Sequence, residues 1–327
     1  MSKHANYMFC GRIETSIFLY EVEMERLILA LFFQVILPIM LVFLAGFTLQ
    51  RLRALSVRAV SAVTIYILSP ALVFTTLYDA DFNSGFLVII IYMFTLFAIM
   101  VVINKLLARL FKWPAKMESA AILATGFMNS GNYGLPVVLF SVGTVALPYA
   151  VFIMVIQGLM NNFFGIYYAS RGKGGMKRAL TNVMKMPTTY AAILGVAFQY
   201  LQIPISESLH SMLSMVGEAS IPVMMIVLGM QLGSMTSLRL NWQVIISSVT
   251  LKMAGAPFIA YLFVTIFNVD PLVGLVLIIV SAMPTAVTTT MYAIEFDSEP
   301  ELVSSMTFIA TVVSVVSVSV VLNLLQL

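Results

Sequence analysis

The sequence predicts an all-α integral membrane protein with ten transmembrane helices, arranged as two inverted repeats of five helices each. Hydrophobic residues make up 61% of the 327 residues and charged residues only 9%, whereas about a quarter of the residues in a soluble domain are charged. Apolar segments of about 20 residues, the length that crosses a bilayer, follow one another along the chain. The fourth and the ninth of these segments are interrupted at corresponding places by polar residues and a proline.

The ten segments and the regions around them follow from the alternation of apolar runs with short polar loops. The spans are predicted at residues 27–50, 58–78, 86–110, 118–141, 145–170, 187–204, 208–234, 242–268, 271–294 and 301–326. The corresponding regions are an N-terminal extension (1–26), a first repeat (27–170), a cytoplasmic linker (171–186) and a second repeat (187–327).

Ionisable and sulfur-containing residues are scarce, which excludes several classes of function. The single cysteine, Cys10, excludes an internal disulfide, and the two histidines, His4 and His210, leave little for a metal site. We therefore predict no metal, no cofactor and no enzymatic activity. The basic residues line loops instead of forming a patch, so nucleic-acid binding has no support. No Walker-type phosphate loop occurs, which excludes ATP as the direct energy source.

The distribution of lysine and arginine predicts the orientation of the chain in the membrane. Most of the 17 basic residues fall in the loops after the odd-numbered spans, for example Arg51, Arg109 and Lys177. Short cytoplasmic loops are enriched in such residues. The N- and C-termini are therefore predicted outside, in a multi-pass protein of the cell membrane.

The first interruption is the run Asn129-Ser130-Gly131-Asn132-Tyr133-Gly134-Leu135-Pro136, and the second is the run from Ser281 to Thr290 around Pro284. Irregular backbone at membrane depth is tolerated where it is buried in protein or lines a cavity. A matched pair of broken helices, one per repeat, predicts a substrate site near the midplane.

A helix that restarts in mid-membrane presents unpaired N–H groups and a partial positive charge at its new N-terminus. Two such termini can hold an anion without an arginine. Side chains of Asn129, Ser130, Asn132, Thr285 and Thr288 can add hydrogen bonds. The alternative is that these polar groups hydrogen-bond across packed helices without binding a ligand.

Isolated charged residues inside predicted spans are further candidates. Lys252 lies about ten residues into span eight, where a lysine is costly unless it has a role. It could balance an anionic substrate, form a structural ion pair with Glu218, or extend to the inner surface. Glu218, four residues before Pro222, is the one side chain that could couple transport to protons, although a position at the lipid edge is the interpretation that we favour.

Polar side chains also occur in span five, where Gln157 and Asn161 are spaced to share one helix face and Asn162 follows them. They can line the transport pathway, although hydrogen bonding between helices is the interpretation that we favour.

Several segments together resemble the auxin efflux carrier family, which includes the plant PIN proteins and bacterial relatives, over residues 27–325. The segments are Leu37-Pro38 to Gly46-Phe47, Leu68-Ser69-Pro70-Ala71, Asn129 to Pro136, Ile221-Pro222 to Leu232, and Met283-Pro284 to Tyr292-Ala293. The Ser69-Pro70 and Ser220-Ile221-Pro222 segments also echo each other between the two repeats.

That resemblance implies a fold like that of the bile acid/sodium symporters, with a scaffold domain and a transport domain that each draw helices from both repeats. It also implies two crossing broken helices, elevator-type movement of organic anions, and a homodimer. It also implies that Asn129, Thr285 and Ala286 contact the substrate. The substrate site is thus predicted to comprise Asn129, Ser130, Asn132, Tyr133, Pro136, Pro284, Thr285, Ala286, Thr288 and Lys252. The threonine-rich run Thr288-Thr289-Thr290 and the short linker differ from the plant pattern, and they favour a bacterial relative that carries small carboxylates such as malate or malonate.

Three other functions compete with this one. A sodium-coupled symporter of the bile acid carrier type is the nearest, but no acidic cluster accompanies either interruption. An integral-membrane enzyme would need paired catalytic groups in the membrane. A membrane sensor is the least favoured, because the sequence offers no soluble output domain.

Overall fold

The computed structural model describes residues 32–170, 175–235 and 240–327. The predicted N-terminal extension, the first residues of predicted span one and part of the linker lie outside the described residues. In the part described, seven helices are long and apolar enough to cross a membrane. They are α1 (Phe33–Arg53), α2 (Val57–Tyr78), α3 (Ser84–Leu110), α5 (Thr144–Ala169), α7 (Glu207–Ser234), α8 (Trp242–Ile266) and α10 (Pro300–Leu324). The prediction of a helical, multi-pass membrane protein is confirmed.

The remaining helices are shorter, and four of them form two pairs. The pairs are α4a (Ala115–Gly126) with α4b (130–141), and α9a (Pro271–Ser281) with α9b (Val287–Glu295). Helix α6 (Pro187–Tyr200) follows a short helix at Gly175–Met184. Each pair coincides with a segment in which polar residues interrupt an apolar run. The unbroken pieces are therefore shorter than the roughly 20 residues that a complete span requires.

Side-chain caps explain where several helices begin. Asn83, Ser206 and Asn241 each accept a hydrogen bond from a backbone N–H in the first turn of α3, α7 and α8. Asp270 accepts two such bonds at the start of α9a. These side chains satisfy N–H groups that have no partner within the helix, and so they set the helix boundaries next to the loops.

The backbones of helices α1 and α7 are in contact because glycines of each helix face the other helix. A Cβ atom built on Gly229 would lie 2.0 Å from the carbonyl oxygen of Phe43, and one on Gly46 would lie 2.3 Å from that of Ile226. Small residues allow helices to approach closely in membranes. Helix α2 packs against α6 and the first half of α7, so α1, α2, α6 and α7 form one packed group.

The other helices form a second packed group around the two interrupted pairs. Helix α3 packs against α4a and α5, α8 packs against α9a, and α10 packs against α9b, α8 and α4a. Buried Leu123, Ile279 and Met306 contribute to its apolar interior. The two groups meet where α4b contacts α7 and where α5 contacts α2.

Contacts at the helix ends bring distant loops together. Lys116, at the start of α4a, forms an ion pair of 2.9 Å with Asp297, which follows α9b. At the C-terminal end of α2, Asp79 lies 3.0 Å from His210 of α7. Within the membrane region, the hydroxyls of Ser69 and Ser220 lie 3.4 Å apart, so the two segments that echo each other in the sequence are in contact.

Candidate functional site

The two interrupted helices meet at their unwound segments. The N–H of Asn129 donates to the carbonyl of Pro284 (2.9 Å), and the N–H of Ala286 donates to the carbonyl of Phe127 (3.1 Å). These bonds form an isolated antiparallel bridge between Met128 and Thr285. Proline at 284 cannot donate a hydrogen bond and prevents a continuous helix, which leaves its carbonyl free to accept from the other segment. Each break thus supplies partners for backbone groups that the other break exposes.

Thr285 reinforces this junction from within. Its hydroxyl donates to the carbonyl of Ala124 in the last turn of α4a over 2.6 Å, and its side chain is almost completely buried. The last four carbonyls of a helix lack partners within that helix. Thr285 of the second interruption therefore caps the helix that ends at the first.

A cavity of about 230 Å³ adjoins the junction. It is bounded by the start of α4b, the start of α9b, and faces of α2, α5 and α7. None of the described residues that line it carries a charge. Its polar lining consists of Ser61, Thr64, Ser69, Asn129, Ser130, Asn132, Gln157, Asn161, Thr188, Thr189, Gln231 and Thr288.

The helix ends that border the cavity are N-termini. Residues 129–132 and 286–288 line it, whereas the last residues of α4a and α9a do not. The first backbone N–H groups of α4b and α9b have no partners within their helices, and each terminus carries a partial positive charge. The cavity therefore has the electrostatic character of an anion site although no cationic side chain is among its described lining residues.

Several buried polar atoms without a partner in the described part of the chain belong to side chains that line this cavity. Buried atoms without a hydrogen-bond partner among the described residues include Asn129 Nδ2, both amide atoms of Gln157, Asn161 Oδ1, Gln231 Oε1 and Ser61 Oγ. All of these side chains line the cavity. Buried polar groups are nearly always hydrogen-bonded, so an unpaired group requires an explanation. A polar ligand in the cavity would supply the missing partners.

The cavity continues into a wider vestibule of about 960 Å³. Ser61, Ile65, Gln231, Val287 and Met291 line both spaces. The outer part of the vestibule is lined by Arg58, Glu295 and Glu301. The sequence predicts that these three residues lie on the cytoplasmic side.

Five of the residues predicted for the substrate site line the cavity: Asn129, Ser130, Asn132, Ala286 and Thr288. The other five lie outside its lining. Thr285 and Pro284 hold the junction, Pro136 is buried inside α4b, and Tyr133 is buried against Phe43 with its hydroxyl bonded to Ser314.

Lys252 lies in a π-helical turn of α8 that packs against α10 and α4a. Its side chain is 1% exposed and does not line the cavity. No hydrogen bond or ion pair of its ammonium is found among the described residues. Glu218 is exposed at the end of the first helical segment of α7 (Glu207–Glu218), before the second segment begins at Ser220. It lines neither the cavity nor the vestibule. The structure therefore does not bring Lys252 and Glu218 together with the cavity residues.

The cavity is also lined by polar residues that the sequence analysis did not assign to the substrate site. Gln157 and Asn161, for which we favoured contacts between helices, both face it, and Asn161 also donates to Thr288 over 3.1 Å. Asn162 does act between helices, since Tyr292 donates to its side chain. Gln231 was not singled out, although an amide in the apolar helix α7 was an available signal.

Comparisons with known proteins identify the family. The sequence pattern of the family described as "Membrane transport protein" matches residues 28–179 and 176–322. An uncharacterized transporter of Methanothermobacter thermautotrophicus is 28% identical over 296 residues, which cover 87% of this chain and 95% of the relative. An uncharacterized transporter of Methanocaldococcus jannaschii is 25% identical over 267 residues, covering 79% and 86% of the two chains. The predicted resemblance to the auxin efflux carriers is confirmed, and the chain belongs to this family of membrane transport proteins.

Proposed function

We propose that the protein is a secondary transporter that moves small organic anions across the cell membrane and binds them in the cavity beside the junction of the two interrupted helices. The observation that carries this proposal is the meeting of two helix N-termini at one uncharged, polar cavity. A carboxylate there would accept hydrogen bonds from backbone N–H groups of both termini and from Asn129 Nδ2, which otherwise has no partner.

The size of the cavity favours a small substrate. At about 230 Å³ it lies below the 300–1,000 Å³ that is typical of sites for drug-sized ligands. Acids of a few carbons, such as malate, malonate or lactate, suit it better than the bicyclic indole acetate. We therefore infer that short carboxylates are the substrates.

The proposed mechanism uses the two packed groups of helices. In it, each interrupted pair counts as one span, so that α1 to α10 make ten spans in two inverted repeats. Helices α1, α2, α6 and α7 would be the scaffold, held together by the close glycine contacts between α1 and α7. The remaining helices would carry the substrate past it. In this mechanism the vestibule at the side of Arg58 and Glu301 would be the opening to the cytoplasm.

The experiment is thermal unfolding of the purified protein in detergent with malate, malonate, succinate, lactate and indole acetate, each titrated at constant ionic strength. A ligand that binds the folded form raises its stability once the concentration exceeds the dissociation constant. We expect a shift of several degrees with at least one short carboxylate, and its loss in Asn129→Ala. The control is Gln243→Met, an exposed position on α8 that lines neither the cavity nor the vestibule.

Absence of a shift with every carboxylate would refute the anion site. A shift that survives in Asn129→Ala would move the site away from the junction. Repeating the titration in sodium and potassium salts tests the sodium-coupled alternative, since a coupled sodium ion would strengthen substrate binding.

A further inference from the structure

Gln157 has an unusual position among the polar residues of the cavity. Its side chain is 3% exposed, it lines the cavity, and neither its amide nitrogen nor its amide oxygen has a hydrogen-bond partner among the described residues. Asn161, one turn further along α5, differs because its nitrogen already donates to Thr288. Within the part of the chain that the structure describes, Gln157 therefore has both a hydrogen-bond donor and an acceptor without a partner inside a buried site.

The neighbours of Gln157 along α5 locate it between the two helix N-termini. Met154 packs against Gly131 near the start of α4b, where an added Cβ would lie 3.1 Å from the methionine sulfur. On the other side, Asn161 bonds to Thr288 at the start of α9b over 3.1 Å. Side chains at these spacings lie on one face of a helix. Gln157 thus faces the same space as the termini that are proposed to hold a carboxylate.

A side-chain amide sets a chemical requirement on the ligand that a carboxylate alone cannot meet. An ionised carboxylate accepts hydrogen bonds and donates none, so it can pair with the nitrogen of Gln157 but not with its oxygen. Rotation of the amide by half a turn exchanges the two atoms and leaves the requirement unchanged. The oxygen would remain unpaired and buried unless the ligand also carries a donor.

We propose that Gln157 selects carboxylates that carry a hydroxyl group on the carbon next to the carboxylate, such as lactate or malate. In this arrangement the hydroxyl donates to the oxygen of Gln157 while the carboxylate accepts from the helix N-termini. A hydroxyl suits the site better than an ammonium, because no acidic side chain is among the described residues of the lining. The inference rests on the proposed function and adds to it the class of anion.

The test compares acids that differ by one hydroxyl. Dissociation constants are measured by titration calorimetry in detergent for lactate against propionate and for malate against succinate. We expect the wild-type protein to bind each hydroxy acid at least about tenfold more tightly than its deoxy partner, since a site built to bond a hydroxyl rejects the analogue that lacks it. In Gln157→Met, of similar volume, the ratio should fall towards one. In the control Gln243→Met it should stay as in the wild type.

The outcomes separate this inference from the function on which it rests. Equal affinity for the two members of each pair in the wild type would overturn the selection by Gln157 and leave the anion site standing. An affinity ratio between hydroxy acid and deoxy partner that persists in Gln157→Met would also overturn it, because another group would then bind the hydroxyl. Binding of neither member of either pair would overturn the proposed function as well. A wild-type ratio of one overturns the inference even if the variant does not fold.

Discussion

The hydrogen bond from Thr285 to Ala124 should contribute measurably to the stability of the junction between the interrupted helices. Thr285→Val keeps the volume of the side chain but removes the hydroxyl that lies 2.6 Å from the Ala124 carbonyl. Both groups are buried, so the carbonyl loses its partner where water does not replace it. Leaving a buried acceptor unpaired costs about 1–3 kcal/mol. Thr285→Ser keeps the hydroxyl and deletes one methyl group, which costs about 0.8 kcal/mol.

The assay is reversible unfolding in mixed micelles, followed by circular dichroism as denaturant is added. We expect the valine variant to be the less stable of the two, by up to about 2 kcal/mol, from the difference between the two costs above. This order is opposite to that expected from hydrophobicity alone, because valine is the more apolar residue. A valine variant as stable as the wild type, or more stable than the serine variant, would refute the role of Thr285 as a cap for α4a.

Three further predictions address the scaffold and the two charged residues. Gly229→Ala should lower the melting temperature, since its Cβ would lie 2.0 Å from the backbone of Phe43 and overpacking costs about 1–3 kcal/mol. The control Gly158→Ala, whose Cβ would meet nothing within 4 Å, should keep the melting temperature of the wild type. Equal melting temperatures of the two variants would contradict the close contact between α1 and α7. Lys252→Met should fold at least as stably as the wild type, because replacing a lone buried charge by an apolar side chain of similar size removes a desolvation cost. Because Lys252 does not line the cavity, the affinity of Lys252→Met for carboxylates should equal that of the wild type in a calorimetric titration, and a clear loss of affinity would contradict the placement of the site. Glu218 is exposed and lines neither the cavity nor the vestibule, so Glu218→Gln should keep the pH dependence of transport in liposomes, and loss of that dependence would identify this residue as the proton carrier.

The sequence carried enough information to locate the junction but not the cavity. Asn129 and Pro284 stand out because polar and helix-breaking residues interrupt long apolar runs, and that signal is local. The bonds from Asn129 to Pro284 and from Ala286 to Phe127 then follow from the need to pair exposed backbone groups in a membrane.

Which polar residues face the cavity depends on tertiary packing, and the sequence does not determine it. The spacing of Gln157 and Asn161 puts them on one helix face, but periodicity cannot distinguish a face that meets a cavity from one that meets another helix. Tyr133 lies in the first turn of α4b and Thr285 in the unwound segment before α9b, yet both side chains point into the protein and not into the cavity. Gln231 belongs to the cavity because α7 packs closely against α1, a contact between distant parts of the chain.

The count of membrane helices shows a related limit. Hydropathy treats the interrupted segment that contains Asn129 as one apolar run, whereas the structure divides it into α4a and α4b. Seven helices in the described part meet the length of a complete span. The number of crossings depends on how the divided segments sit in the bilayer, and labelling of cysteines introduced into the loops measures it.

Transport itself tests the central claim most directly. The protein is reconstituted in liposomes that are loaded with an unlabelled short carboxylate. Entry of the same acid in labelled form is then followed for the wild type, Asn129→Ala and the control Gln243→Met. The account predicts saturable entry that the internal acid stimulates in the wild type and the control, and a reduction of about tenfold or more in Asn129→Ala. Equal entry in Asn129→Ala, or no entry of any short carboxylate through folded wild-type protein, would contradict it.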